Sequence, residues 1–101
     1  MDILKHTGNP VRLELRGRLD AHEVPQLKST LQDIKNDFVL DFGGVNFIDS
    51  SGLSWLVSSF KLARERGLQM QILNVQDAVQ VILEITGLHL VLPIERIHGQ
   101  P

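Results

Sequence analysis

The N-terminal part of the chain alternates apolar and charged residues. Residues 11–16 read V-R-L-E-L-R, which is typical of a strand with one buried face and one face in water. Residues 1–5 are predicted to pair with this strand as a hairpin partner, because the stretch 6–10 carries turn residues and ends at Pro10, which cannot continue a ladder. We therefore predict two adjacent strands at the start of the chain.

After Asp20 the apolar residues recur at steps of three and four. Positions 24, 27, 31 and 34 predict a helix over 21–35, and Pro25 suits its first turn, where a missing N–H is tolerated. The run F-V-L-D-F at 38–42 is short and mostly apolar, so it predicts a strand buried on both faces, ended by a turn at Gly43 and Gly44. A strand of this kind belongs in the centre of a sheet.

The second half of the chain predicts two more helices and two more strands. One helix covers 51–66 and stops at Gly67, with an apolar stripe formed by Leu53, Leu56, Val57, Phe60 and Ala63. A strand over 68–73 follows, then a helix over 77–86 that stops at Gly87, and a last strand over 89–92 that ends at Pro93. The order predicts an α/β fold, a four- to five-stranded mixed sheet packed with three helices.

The predicted helix 51–66 places its tryptophan away from the apolar stripe. At about 100° per residue, Trp55 and Leu62 project nearly opposite to the stripe. Trp55 is therefore predicted to face outward, either as an anchor for a partner protein or packed beneath a neighbouring loop.

Composition and charge restrict the classes of function. With 101 residues, 43% of them hydrophobic, the chain is expected to form a single domain over 1–101, which excludes a multidomain enzyme. A net charge of −2 with scattered Lys and Arg argues against a nucleic-acid partner. There is no Cys and no closely spaced His pair, so we predict no metal site. We also expect no membrane association and a cytoplasmic location, because neither a secretion signal nor a membrane-length apolar run is visible.

The segment V-N-F-I-D-S-S-G-L at 45–53 carries the candidate chemistry. It follows a buried strand and opens a helix, so Asp49 or Ser50 can cap the helix in a purely structural role. Alternatively, Ser50 accepts a phosphoryl group, which the free N–H groups and positive dipole end of a helix would tolerate. A small hydrolase using Ser50 with His22 or His89 is the weakest hypothesis, since no third orienting group or oxyanion motif is visible.

These segments resemble the STAS domain, and specifically the bacterial anti-sigma factor antagonists. The likeness spans about residues 10–94 and rests on G-R-L-D at 17–20, on V-L-D-F-G-G-V-N-F-I-D-S-S-G-L at 39–53 and on I-T-G-L at 85–88. Its most specific part is F-I-D-S-S-G-L at 47–53, preceded at this distance by G-x-L-D. The resemblance implies a STAS-type sheet and a single STAS domain.

The resemblance also implies a phosphorylation-controlled binding protein that is not an enzyme. In the family, the first serine of D-S-[ST]-G is phosphorylated by the anti-sigma factor, which is a serine kinase. The unmodified protein binds that kinase and frees the sigma factor, and a metal-dependent serine phosphatase removes the phosphate. Carried over to this sequence, the phosphoacceptor is Ser50, with Ser51 as the second choice.

Further expectations concern the partner surface. The resemblance implies that Asp20, Asp49, Ser51 and Gly52 belong to the partner-binding surface. Trp55 is added because it is predicted to face outward, although relatives usually have a smaller aliphatic residue at this position. No cofactor is expected on this chain, because ATP would be bound by the kinase, and the chain is expected to be a monomer or a weak dimer. The second hypothesis is a STAS adaptor subunit that is never phosphorylated and serves in a transporter-associated or stress-signalling complex.

Overall fold

The computed structural model describes residues 1–95 of the 101-residue chain. Its elements are β1 (Asp2–His6), β2 (Val11–Leu19), α1 (Val24–Gln32), β3 (Phe38–Ile48), α2 (Ser50–Glu65), β4 (Met70–Leu73), α3 (Asp77–Ile85) and a short 3-10 helix (Leu88–Leu90). The strands form one sheet in the order β1-β2-β3-β4, in which β1 is antiparallel to β2 and the other pairs are parallel. The predicted α/β architecture, a mixed sheet packed with three helices, is confirmed.

The apolar core lies between one face of the sheet and the helices. The alternating residues Val11, Leu13 and Leu15 of β2 join a buried cluster that includes residues of all three α-helices. The intervening side chains of β2 lie on the other face, where Arg12 Nη1 donates to Asp41 Oδ2 at 2.8 Å. The predicted strand with one polar face is confirmed.

The strand β3 is more than twice as long as its apolar run predicted. It continues through Gly43 and Gly44 to Ile48, so the predicted turn at this glycine pair is wrong. A Cβ atom at Gly44 would lie 2.6 Å from Arg16 Cγ and 2.9 Å from the Leu15 carbonyl oxygen. The absence of a side chain lets β3 stay paired with β2 across a register shift, and the pairing therefore extends to the ends of both strands.

The predicted strand over 89–92 is also wrong. Residues 88–90 form a 3-10 turn, and Leu92 N donates to the Leu88 carbonyl at 2.8 Å, so the chain curls instead of extending. Only Ile94 reaches the sheet, as an isolated parallel bridge to Ile72 beside β4. The fifth strand of the prediction is reduced to this single bridge.

Helix α1 is shorter than the predicted 21–35. Asp20 follows β2 and organises a turn before the helix, because its carbonyl oxygen accepts from Glu23 N and Val24 N at 3.0 and 3.2 Å. The apolar spacing located α1 correctly but could not show that this turn delays its start. Within residues 1–95, no helix has both the length and the apolar content that crossing a membrane requires.

Candidate functional site

The two most specific sequence segments meet at the carboxyl ends of two parallel strands. Leu19 of β2 and Ile48 of β3 are partners in the ladder, so the residues that follow them emerge at the same edge of the sheet. Asp49 N donates to the Leu19 carbonyl at 3.2 Å. The fold therefore brings Asp20 and Asp49 together, although 28 residues separate them in the sequence.

Asp49 is the N-cap of α2. Its Oδ1 accepts from Gly52 N at 2.9 Å, and its Oδ2 accepts from Ala21 N at 3.2 Å in the connection between β2 and α1. One carboxylate thus satisfies a free N–H of the helix and joins it to the neighbouring loop. The predicted capping role is confirmed for Asp49.

Asp20 shapes the loop on the other side of the site. Its Oδ1 accepts from His22 N at 3.1 Å, and its Oδ2 lies 3.6 Å from Arg18 Nε. The carboxylate is about one quarter exposed. Asp20 therefore stabilises the loop to which Asp49 is hydrogen-bonded. Part of the Asp20 carboxylate still faces solvent.

Ser50 is the first residue of α2, and its side chain is exposed. In the part of the chain that the structure describes, its hydroxyl makes no hydrogen bond, and the cap of α2 is provided by Asp49. Ser51 is half-buried. Of the two candidate acceptors, Ser50 is thus the more accessible.

Gly52 lies where α2 meets the strand ends. A Cβ atom there would stand 2.4 Å from the Leu19 carbonyl oxygen and 2.8 Å from Ile48 Cγ1, closer than any side chain can pack. The absence of a side chain at Gly52 lets the first turn of α2 rest directly on the ends of β2 and β3. This contact fixes Ser50 relative to Asp20.

The predicted outward orientation of Trp55 is wrong, because the side chain is only 2% exposed. The stripe that α2 buries consists of Gly52, Trp55, Leu56, Ser59 and Ala63. It is rotated from the predicted stripe, and two of its members, Gly52 and Ser59, carry no hydrophobic signal. The Ser59 hydroxyl is satisfied inside the core, where it donates to the Trp55 carbonyl at 2.7 Å.

A cleft of about 290 Å³ lies beside Ser50, between α1 and α2. It is lined by Val24, Lys28, Ser50, Ser51, Ser54, Trp55 and Ser58. Trp55 thus contributes to the cleft as a buried wall residue, and its Nε1 has no hydrogen-bond partner among the described residues. Lys28 is the one charged residue in the lining, so the cleft combines hydroxyl groups with a single ammonium group.

A second groove of about 330 Å³ borders the same helix on its other side. It is lined by Leu53, Ser54, Val57, Ser58 and Leu88. Ser54 and Ser58 line both depressions and are exposed, so they form a narrow ridge between them. Sequence reasoning missed Lys28, Ser54 and Ser58. Their helical spacing places them on common faces, but only the packing of α1 beside α2 shows that these faces flank Ser50.

Neither histidine of the hydrolase hypothesis is bonded to Ser50 in the described part of the chain. His22 donates its backbone N–H to Asp20, and His89 Nδ1 lies 3.3 Å from the Leu83 carbonyl oxygen. Neither imidazole hydrogen-bonds Ser50 within residues 1–95. In the same range, no three His, Asp or Glu side chains are grouped closely enough to hold a metal ion.

Comparisons with known sequences identify one family. A model of the STAS domain matches residues 3–99. The anti-sigma-B factor antagonist of Listeria monocytogenes is 28% identical to this chain and aligns with 99% of it and 91% of its own length. The anti-sigma-B factor antagonist of Staphylococcus aureus is 32% identical over 75% of this chain and 74% of its own length.

The fold has counterparts among solved structures. The anti-sigma factor antagonist SpoIIAA in its unphosphorylated form matches with a TM-score of 0.79 and 19% identity, over 97% of this chain and 90% of its own. The phosphorylated form of the Bacillus cell fate determinant SpoIIAA matches with a TM-score of 0.72 and 18% identity, over 97% and 93%. At these identities the likeness establishes the fold.

Proposed function

The chain belongs to the STAS domain family of anti-sigma factor antagonists, and from this premise we propose that it is a binding protein switched by phosphorylation of Ser50. The unmodified chain binds an anti-sigma factor that is a serine kinase, and the kinase then releases its sigma factor. Phosphorylation of Ser50 weakens this complex, and a metal-dependent serine phosphatase regenerates the unmodified form.

The observation that carries the proposal is that Asp49 and Ser50 have different roles at the start of α2. Asp49 caps α2 and bonds to Ala21, whereas the Ser50 hydroxyl is exposed and makes no bond within residues 1–95. Phosphorylation therefore breaks no hydrogen bond that holds the described fold. A phosphate at the first residue of a helix is also favoured by the helix dipole, by about 0.3–1 kcal/mol per charge when exposed.

The chain provides the acceptor and the kinase provides the nucleotide. The Ser50 oxygen attacks the γ-phosphorus of ATP bound by the kinase, the bond to the β-phosphate oxygen breaks, and ADP leaves. A base of the kinase takes the hydroxyl proton. This chain then needs no cofactor and performs no catalysis of its own.

The two grooves beside α2 support a docking footprint for the kinase around Ser50. Ser54 and Ser58 are short, so a partner can approach the α2 backbone closely and enter the depressions on both sides. Within this footprint, Ser51 touches the partner, and Asp20, Asp49 and Gly52 hold the loop geometry. Trp55 acts indirectly, as the buried wall against which the cleft is formed.

The switch follows from the charge that phosphorylation adds. A phosphoserine carries about −1.5 to −2 charges at neutral pH, next to the Asp49 carboxylate and on a chain whose formal net charge is −2. A hundredfold loss of affinity requires about 2.7 kcal/mol. Desolvation of a phosphate at the interface, or its repulsion by an acidic group of the kinase, is sufficient to supply this free energy.

Binding of Ser50 variants to an anti-sigma factor kinase of the same organism tests the proposal. We expect Ser50→Ala to bind as the unmodified chain does and to take up no phosphate from ATP. Ser50→Asp should bind about a hundredfold more weakly, because it places a charge at the interface. Ser51→Ala is the matched control and should be phosphorylated normally.

Isothermal titration calorimetry gives the affinities, and intact mass gives the phosphate count. Equal affinity of the Ala and Asp variants at position 50, with no phosphate added to the unmodified chain, would support the adaptor hypothesis instead.

A further inference from the structure

Exposed apolar side chains are concentrated at α3 and the turn that follows it. Val81, Ile85, Leu90 and Val91 are 51%, 76%, 82% and 58% exposed, and they are four of the six large apolar residues exposed in the described part of the chain. Val81 and Ile85 are one turn apart on the outer side of α3, whose inner side buries Val79 and Leu83. The 3-10 turn packs against α3. We name these four residues the α3 surface.

The Asp, Glu, Lys and Arg residues of the segment that carries the α3 surface all have one sign. No Lys or Arg occurs between Gly67 and Glu95, whereas Asp77, Glu84 and Glu95 are acidic and exposed. Nine of the ten basic residues of the chain precede Gly67. The surface is therefore apolar with an acidic border.

The acidic border is available to a partner. The Glu84 carboxylate accepts only from Gln80 Nε2, at 3.0 Å, and neither Asp77 nor Glu84 forms an ion pair in the part of the chain that the structure describes. A cation brought to this border would thus meet carboxylates that no basic side chain of residues 1–95 neutralises.

From this combination we propose that the α3 surface docks a basic amphipathic helix of a partner protein. The apolar stripe of such a helix covers Val81 and Ile85, and its flanking Lys or Arg residues meet Asp77 and Glu84. The apolar spacing of four residues on α3 matches the ridge that a second helix packs against. An acidic or uncharged apolar partner would lack the electrostatic part of this fit.

The α3 surface is separate from the phosphorylation site. None of its four residues lines the cleft beside Ser50 or the groove on the other side of α2. Leu88 of the 3-10 turn does line that groove, so the proposed kinase footprint reaches the edge of the α3 surface near Leu90. Val81 and Ile85 lie outside both depressions, and binding to them is expected to be independent of the charge at Ser50.

A synthetic helix of leucine and lysine tests this inference. The probe is a peptide of about four helical turns with leucines on one face and lysines on its flanks, compared with a peptide in which every lysine is glutamate. Nuclear magnetic resonance of the full chain locates the bound peptide, and fluorescence anisotropy gives the affinity. We expect the lysine peptide to shift amide signals of residues 77–91 and to bind at least about tenfold more tightly than the glutamate peptide.

Matched variants distinguish specific binding at the α3 surface from nonspecific hydrophobic binding elsewhere on the chain. The double variant Val81→Ser with Ile85→Ser should lose about tenfold or more in affinity for the lysine peptide, and Glu84→Gln about threefold. Leu4→Ser removes an exposed apolar side chain of β1 and should leave the affinity unchanged. Because Val81 and Ile85 are exposed, the double variant should keep the thermal midpoint of the parent chain.

Three results would overturn the inference. One is a peptide footprint on residues 50–58, and another is equal affinity for the lysine and glutamate peptides. The third is a concentration-dependent dimer in sedimentation that the double variant abolishes, since a second copy would then be the occupant. The variant Ser50→Asp should bind the peptide as the parent does. A failure of the peptide to bind the α3 surface would therefore not contradict the proposed switch at Ser50.

Discussion

At the scale of single residues, the site depends on two neighbours with different tasks. Asp49 uses both carboxylate oxygens to hold the backbone, at Gly52 N and at Ala21 N. Ser50 holds nothing in the described fold and faces solvent. A modification at Ser50 can thus change the surface while the frame beneath it persists.

This division predicts unequal effects on stability for two adjacent alanine variants. Asp49→Ala loses the helix cap and the bond to Ala21, so it should lower the free energy of unfolding by about 1–2 kcal/mol. Ser50→Ala removes an exposed hydroxyl and should change that free energy by less than about 0.5 kcal/mol. Urea denaturation followed by circular dichroism measures both. A larger loss for Ser50→Ala than for Asp49→Ala would make Ser50 the structural cap.

The sequence predicted the N-cap of α2 better than the orientation of the helix. The Asp49 cap follows from local capping rules, which involve only the first turn of α2. The side on which Trp55 lies depends on which residues pack against the sheet, and Gly52 is decisive because only a residue without a side chain fits there. A glycine carries no hydrophobic signal, so the stripe predicted from the sequence is rotated away from Trp55, although it shares Leu56 and Ala63 with the buried stripe.

At the scale of elements, the sheet differs from the sequence-based prediction where long-range contacts outweigh local signals. Gly43 and Gly44 are typical turn residues, yet β3 passes through them because β2 lies alongside. Residues 89–92 have the composition of a strand, but only Ile94 bridges to β4. Local composition cannot show which neighbour is available for pairing. The periodic helices, by contrast, were located to within a few residues.

Asp41 shows how such long-range pairing affects stability. Burial raises the pKa of its carboxyl, but hydrogen bonds from Gly43 N, Asn74 Nδ2 and Arg12 Nη1 lower it by more, so the pKa lies below its ordinary value. These bonds connect β2, β3 and the residue after β4. Because the folded-state pKa is depressed, the stabilisation is complete above the ordinary carboxyl pKa of about 3.9 and is lost as the pH falls through the folded-state value.

Asp41→Asn is therefore expected to destabilise the chain in a pH-dependent way. At pH 7 it should lower the free energy of unfolding by about 1 kcal/mol, and the difference from the parent should shrink below about pH 4. Asp33→Asn is the control, because Asp33 is exposed and should show little effect at either pH. Urea titrations at the two pH values test this, and a difference that grows on acidification would contradict the assigned sign.

At the scale of the whole molecule, one small domain presents two surfaces of different character. The carboxyl ends of β2 and β3 present Ser50 above a cleft whose one charged lining residue is Lys28. The last third of the described chain presents the apolar, acidic α3 surface. The charged residues are thus distributed unevenly although the net charge is close to zero. A phosphate at Ser50 adds negative charge at one of the two surfaces only.

The affinity of the kinase for the unmodified chain and for the enzymatically phosphorylated chain tests the central claim most directly. The chain is incubated with the anti-sigma factor kinase and ATP, the phosphate is located by peptide mass spectrometry, and both forms are titrated against fresh kinase. We predict a single phosphate at Ser50 and an affinity about a hundredfold weaker than that of the unmodified chain. A phosphate at another residue, or equal affinity of the two forms, would contradict the switch.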